Sequence, residues 1–132
     1  MNDSIKTMKI FLDTADTEAI KKGYETGLVD GITTNPSLIM KSGRNPEDVY
    51  QELIDLGIPD ISMEVVGTRE QMLWEGRRLA NKFDKNATIK VPCTPDGLYV
   101  CRQLSRSLVK VNVTLIFSPA QAILAAKAGA TY

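Results

Sequence analysis

Five short apolar runs of this 132-residue chain each carry, or end on, a polar residue able to do chemistry. Asp13 follows Phe11 and Leu12, and Thr33, Thr34 and Asn35 follow Ile32. Glu64 lies between Met63 and Val65, and Lys90 between Ile89 and Val91. Asn112 and Thr114 alternate with Val111, Val113 and Leu115, so period-2 geometry puts them on one strand face. A charge inside an apolar strand is costly unless it is paired or used. Desolvation favours the neutral form of an amine, and a neutral amine attacks carbonyl carbon. The resulting Schiff base withdraws electrons and lets a neighbouring carbon–carbon bond break. Cleaving a β-hydroxy ketone in this way needs a base for the hydroxyl proton and a donor for the loss of water. The chain has no histidine. Carboxylates such as Asp13 and Glu64 are therefore expected to move those protons, with a water held by Thr114 as a further route. Asn35 and Asn112 suit sugar hydroxyls or a carbinolamine, and Thr34 joins them as a candidate for substrate binding. Residue types alone leave open which acid does which job.

Each residue also has a plainer reading. Lys90 could snorkel from a strand end or pair with Glu64 as a buried ion pair. Asp13 before Thr14 suits a turn or cap, Asn35-Pro36 is a common turn dipeptide, and Thr114 is at home in any strand. An acid ending one strand, an acid in a second and a lysine in a third is the combination that resists dismissal.

Composition removes several classes. Without histidine there is no Ser-His-Asp or Cys-His catalysis and no histidine metal ligand. Lysine plus arginine (16) balances aspartate plus glutamate (16), and the pI is near 6.3, so no nucleic-acid partner is expected. Cys93 and Cys101 are too few for a disulfide scaffold and wrongly spaced for zinc; reduced thiols in a cytoplasmic protein are expected. Residues 1–7 lack a signal-peptide pattern, and no apolar run approaches the ~20 residues of a membrane helix. No GxGxxG or Walker motif supports a nucleotide, and neither a cofactor nor a metal is expected.

The positioning elements alternate. Strand-like runs at 9–14, 29–34, 61–66, 87–91 and 109–117 are separated by helical stretches, which is the pattern of βα units on a parallel sheet. Asp16, Thr68 and Ser118 are N-cap candidates, Pro119 suits N1, and Gly27 and Gly129 suit helix ends. Val49, Leu53 and Leu56 share one helical face, as do Met72, Leu73, Leu79 and Phe83. Trp74 is expected in the core or at an interface. Residues 1–132 form a single domain on this reading. Two architectures accept five βα units: an open doubly-wound sheet or part of an eight-stranded barrel.

The motifs favour the barrel. FLDTAD (Phe11 to Asp16), GITTNPSL (Gly31 to Leu38), SMEV (Ser62 to Val65), IKVPCTPDG (Ile89 to Gly97) and VNVTLIFSPAQA (Val111 to Ala122) together resemble the transaldolase family, in its small microbial branch. The resemblance implies a (β/α)8 barrel of the TIM type, with about the first five βα units present here. It also implies class I Schiff-base transfer of a dihydroxyacetone unit between sugar phosphates. In the pentose phosphate pathway this converts sedoheptulose 7-phosphate and glyceraldehyde 3-phosphate into erythrose 4-phosphate and fructose 6-phosphate. By resemblance Lys90 is the Schiff-base lysine and Asp13 the acid/base at the substrate hydroxyl. Asn35, Asn112 and Thr114 position substrate and water. Glu64 falls where transaldolases carry glutamate and fructose-6-phosphate aldolases glutamine.

The family pattern continues beyond the AGATY-like stretch into a sixth strand, a phosphate-gripping arginine and further βα units. The Schiff-base half of the site is therefore expected here and the phosphate half is not. Exposed strand edges lead to the expectation of a homo-oligomer that covers them. Two alternatives stay open: aldol cleavage of the fructose-6-phosphate aldolase type, or a non-catalytic remnant that folds by self-association.

Overall fold

Side-chain caps fix where the helices begin. The computed structural model describes residues 8–132; residues 1–7, on which the reading against a signal peptide rests, lie outside the described residues. Strand β1 (Phe11–Asp13) leads to α1 (Thr17–Tyr24), where the Asp16 carboxylate accepts from the backbone of Glu18 and Ala19. Strand β2 (Gly31–Thr33) is followed by two helices, α2 (Pro36–Lys41) and α3 (Pro46–Asp55), each with an asparagine N-cap and proline at its start. Strand β3 (Ile61–Glu64) precedes α4 (Arg69–Phe83), which opens on a full capping box between Thr68 and Gln71. Strand β4 (Ala87–Pro92) precedes α5 (Pro95–Arg106), and β5 (Lys110–Thr114) precedes α6 (Pro119–Ala128). Ser118 caps α6, and Gly129 ends it with a left-handed φ of 99°.

All five strands are parallel and lie in the order β1-β2-β3-β4-β5. A doubly-wound sheet reverses direction at its switch point, so this order excludes it. Each crossover steps one strand onward in the same sense, which is barrel winding. The sheet is curled as well. Phe11 on the first strand packs against Tyr132, beyond the fifth, with ring centroids 5.0 Å apart and the planes tilted by 46°. Thr131 and Tyr132 already hydrogen-bond to Val111 and Val113 of β5, beginning a further parallel pairing.

Alternation divides the strands. Ile61, Met63 and Val65, then Ile89 and Val91, then Val111 and Val113 are buried against the helices, together with Leu79 of α4 and Val100 and Leu104 of α5. The opposite, concave face carries Asp13, Thr33, Ser62, Glu64, Thr88, Lys90, Asn112 and Thr114. Burial of the apolar face, at ~25 cal/mol per Å2, is what holds the polar one open and in register.

Three expectations change in detail. Strand β5 stops at Thr114 rather than reaching Phe117, because Leu115 turns to a left-handed φ of 64°. β1 and β2 are shorter than their apolar runs, since only Phe11–Asp13 pairs with Gly31–Thr33. Of the two places expected for Trp74, core or interface, the core is excluded by its 66% exposure.

Helices α3 and α4 are tied by ion pairs, with Glu47 receiving both Arg78 and Lys82. The Arg78 hydrogen bond, then that of Lys82, holds the Glu47 carboxyl below its ordinary 4.5. A depressed carboxyl contributes stability above its unfolded value and loses it as pH falls through the folded one. Glu47→Gln should therefore lower stability by about 0.5–1 kcal/mol near neutrality. That difference should shrink once the pH drops below 4.5. Urea titrations at both pH values check this, and equal stability at neutrality would refute it.

The two thiols should differ in reactivity. Cys101 is fully buried and Cys93 half-buried. Burial pushes the Cys101 thiol up to about 11, leaving thiolate at roughly one part in a thousand at pH 8. Iodoacetamide on the native protein should label Cys93 first. Mapping that finds Cys101 labelled as fast contradicts this burial.

Candidate active site

Strand register assembles the site. Glu64 pairs with Lys90, and Lys90 with Asn112, so three polar side chains stand abreast on the concave face. One step further, Pro92 pairs with Thr114; at the first strand pair, Asp13 sits beside Thr33. All lie toward the C-terminal ends of their strands, where parallel α/β folds carry their chemistry.

Lys90 is 8% exposed, and its Nζ lies 3.5 Å from Glu64 Oε2. That separation makes an ion pair within the concave face. Asp13, though exposed, is engaged within the sheet: its Oδ1 accepts the Thr33 hydroxyl at 3.0 Å. Asn112 donates from Nδ2 to Ser62 Oγ at 3.1 Å, and Ser62 is fully buried. The Thr114 carbonyl accepts from Cys93 N at 2.9 Å; among the described residues its hydroxyl makes no hydrogen bond, and it borders the same face. Asn35 Oδ1 caps α2 by accepting from Ser37 N at 2.9 Å, leaving its amide nitrogen to point elsewhere.

Thr34 is not brought to this group. It is 1% exposed and donates its hydroxyl to the Ser62 carbonyl at 2.7 Å. Its neighbour Thr33 holds the concave position. The sequence offers two adjacent threonines, and only the register with Asp13 decides between them.

Sequence reasoning also missed a polar floor under the site. Asp60, 7% exposed, accepts the Thr88 hydroxyl at 2.7 Å, and Lys110 Nζ lies 3.1 Å from its other oxygen. Tyr132 donates its own hydroxyl to Thr88 at 3.0 Å. Burial pushes the Tyr132 phenol well above its usual value. These residues come from four separate segments, so no local signal unites them.

Lys90 with Glu64 beside it, Asn112 one strand further on and Asp13 on the first strand share one face of a curled parallel sheet, a lysine-centred α/β arrangement of the barrel type. The Transaldolase/Fructose-6-phosphate aldolase family model matches residues 10–132. A protein of Nitrosopumilus maritimus (strain SCM1) named "Probable transaldolase" is 54% identical over 126 residues, covering 95% of this chain and 56% of its own length. Proteins of the same name from Geobacter sulfurreducens and Anaeromyxobacter sp. (strain K) are 55% and 56% identical, with 58% of their length covered in each case. The chain belongs to the transaldolase/fructose-6-phosphate aldolase family. It spans a little over half the length of the curated relatives it matches. No helix among the described residues is long and apolar enough to cross a membrane.

Proposed function

We propose that Lys90 forms a Schiff base with the carbonyl of a ketose phosphate and that the chain serves transaldolase-type transfer in the cytoplasm. The supporting observation is a scarcely exposed lysine with a glutamate 3.5 Å away, on the face that also carries Asp13 and Asn112. The amine adds to the ketose carbonyl and the carbinolamine loses water. Glu64, with a water reached through Thr114, supplies and recovers the protons of that step. Asp13 takes the proton of the β-hydroxyl as the carbon–carbon bond breaks, and the aldose leaves. The electron pair stays on the dihydroxyacetone unit as an enamine, which adds to the aldehyde of an acceptor aldose phosphate. Water then releases the new ketose and restores the amine. Asn35 and Asn112 hold hydroxyls of the bound sugar. Glutamate at position 64, where the fructose-6-phosphate aldolases that the chain resembles carry glutamine, is what favours transfer over simple cleavage in this reading.

Borohydride trapping tests this. Incubation with fructose 6-phosphate and sodium borohydride, followed by peptide mapping, should place a reduced adduct on Lys90. No adduct, or an adduct on another lysine, excludes the chemistry. Omitting and then restoring an aldose acceptor separates transfer from cleavage.

A further inference from the structure

A buried hydroxyl beneath the candidate site serves neither the apolar core nor the backbone. Ser62 is fully buried on the concave face of β3, two residues before Glu64. Its register partners are Thr33 on β2 and Thr88 on β4. A hydroxyl taken out of water needs a hydrogen bond, and alanine would fill the same place without that need. Among the described residues the Ser62 hydroxyl has one partner, the Asn112 side chain, whose Nδ2 donates to it at 3.1 Å.

That bond spans three strands. Asn112 pairs with Lys90, and Lys90 pairs with Glu64, whereas Ser62 lies level with Thr88. The bond therefore crosses β4 between the levels of Thr88 and Lys90. Thr88 is nearer to Asn112 in the register but already engaged, since its hydroxyl donates to Asp60 and accepts from Tyr132. The other end of the Asn112 amide, Oδ1, has no partner among the described residues and is left for a ligand. An asparagine amide turns broadly about its last torsion. One bond to a hydroxyl fixed inside the sheet removes that freedom before a sugar arrives.

We propose that Ser62 is a positioning residue, holding the Asn112 amide so that Oδ1 meets a hydroxyl of the sugar bound at Lys90. Being fully buried, Ser62 makes no contact with the sugar itself. What Asn112 does rests on the Schiff-base reading; how Asn112 is held rests on the hydrogen bond alone.

Two measurements on the full chain test this. The Asn112 side-chain amide signals, assigned by their loss in Asn112→Asp, should exchange slowly with solvent in the wild-type protein. They should shift and exchange at least about tenfold faster in Ser62→Ala and in Ser62→Cys, whose sulfur is a weak acceptor. Borohydride trapping over a range of fructose 6-phosphate concentrations is the second measurement. Half-maximal adduct on Lys90 should need about tenfold more ketose in Ser62→Ala, while the maximal adduct stays at the wild-type level. A change confined to the half-saturating concentration marks a lost sugar contact; general loosening of β3 would disturb Glu64 and Lys90 and lower the maximum. In an Asn112→Ala background, Ser62→Ala should add less than about a twofold change.

Fast exchange of the Asn112 amide in wild-type protein overturns the hold, whether or not any variant folds. An unchanged half-saturating concentration in Ser62→Ala, a lowered maximum, or a full effect persisting without Asn112 overturns the positioning role alone. Wild-type protein that yields no Lys90 adduct fails differently: the Schiff-base reading goes first, and the positioning role falls with it.

Discussion

Lys90→Arg should abolish the trapped ketose adduct while leaving the fold intact, with any turnover falling by at least about a thousandfold. Arginine keeps the positive charge beside Glu64, so the ion pair at β3–β4 persists. Its guanidinium stays protonated and forms no imine. If Lys90 served only to neutralise Glu64, the arginine variant would behave as wild type in every assay. Lys90→Met sharpens the contrast. It matches the lysine stem but strips Glu64 of its partner, and should destabilise by about 1–2 kcal/mol, less than a fully buried pair because the Glu64 side chain keeps 21% exposure. The readouts are the mass of the Lys90 peptide after borohydride and the urea midpoint. An arginine variant that still yields a ketose adduct elsewhere in the chain sinks the assignment.

Local signals were legible wherever one segment decides the outcome. Caps at Asp16, Thr68 and Ser118 mark their helices because each needs only its own next three residues. Met72, Leu79 and Phe83 bury as their spacing requires, and Lys90 and Glu64 stand out because a charge in an apolar strand has few cheap explanations. The architecture was legible only through whole motifs, since five βα units fit two windings and strand order is a long-range property.

Most of what escaped the sequence depends on strand pairing. Thr34 and Thr33 are chemically identical candidates until the register aligns Thr33 with Asp13. Asp60 looks like a turn residue before Ile61, yet it collects Thr88 and Lys110 from strands 28 and more residues away. Tyr132 meets Phe11 only because the sheet curls through five strands. Trp74 fits helical spacing well enough to suggest core, but it projects from α4 beside the buried stripe rather than on it. Leu115 ends β5 by a backbone turn that apolar composition cannot announce.

Gly97→Ala should destabilise the protein by about 2–3 kcal/mol and slow adduct formation at Lys90. Replacing glycine by alanine within a helix ordinarily stabilises by ~0.5–1 kcal/mol, so the expected sign is reversed. The reason is contact rather than backbone conformation. Gly97 lies in the first turn of α5, its amide capped by Thr94 Oγ1 at 3.0 Å, and a Cβ there would overlap the Pro92 carbonyl oxygen and approach the carbonyl carbon to 3.0 Å. That carbonyl is backbone and already accepts from Thr94 N at 2.9 Å, so no flexible side chain can yield. Relief must come from moving α5 outward or β4 inward. Pro92 is two residues from Lys90 and pairs with Thr114, so either movement disturbs the end of β4 on which the amine depends. Urea unfolding should show a lower midpoint with an unchanged slope. Gln103→Ala, on the half-exposed side of the same helix, should leave both stability and adduct formation near wild type. A Gly97→Ala protein as stable as wild type would mean that α5 does not seat against Pro92 as closely as described.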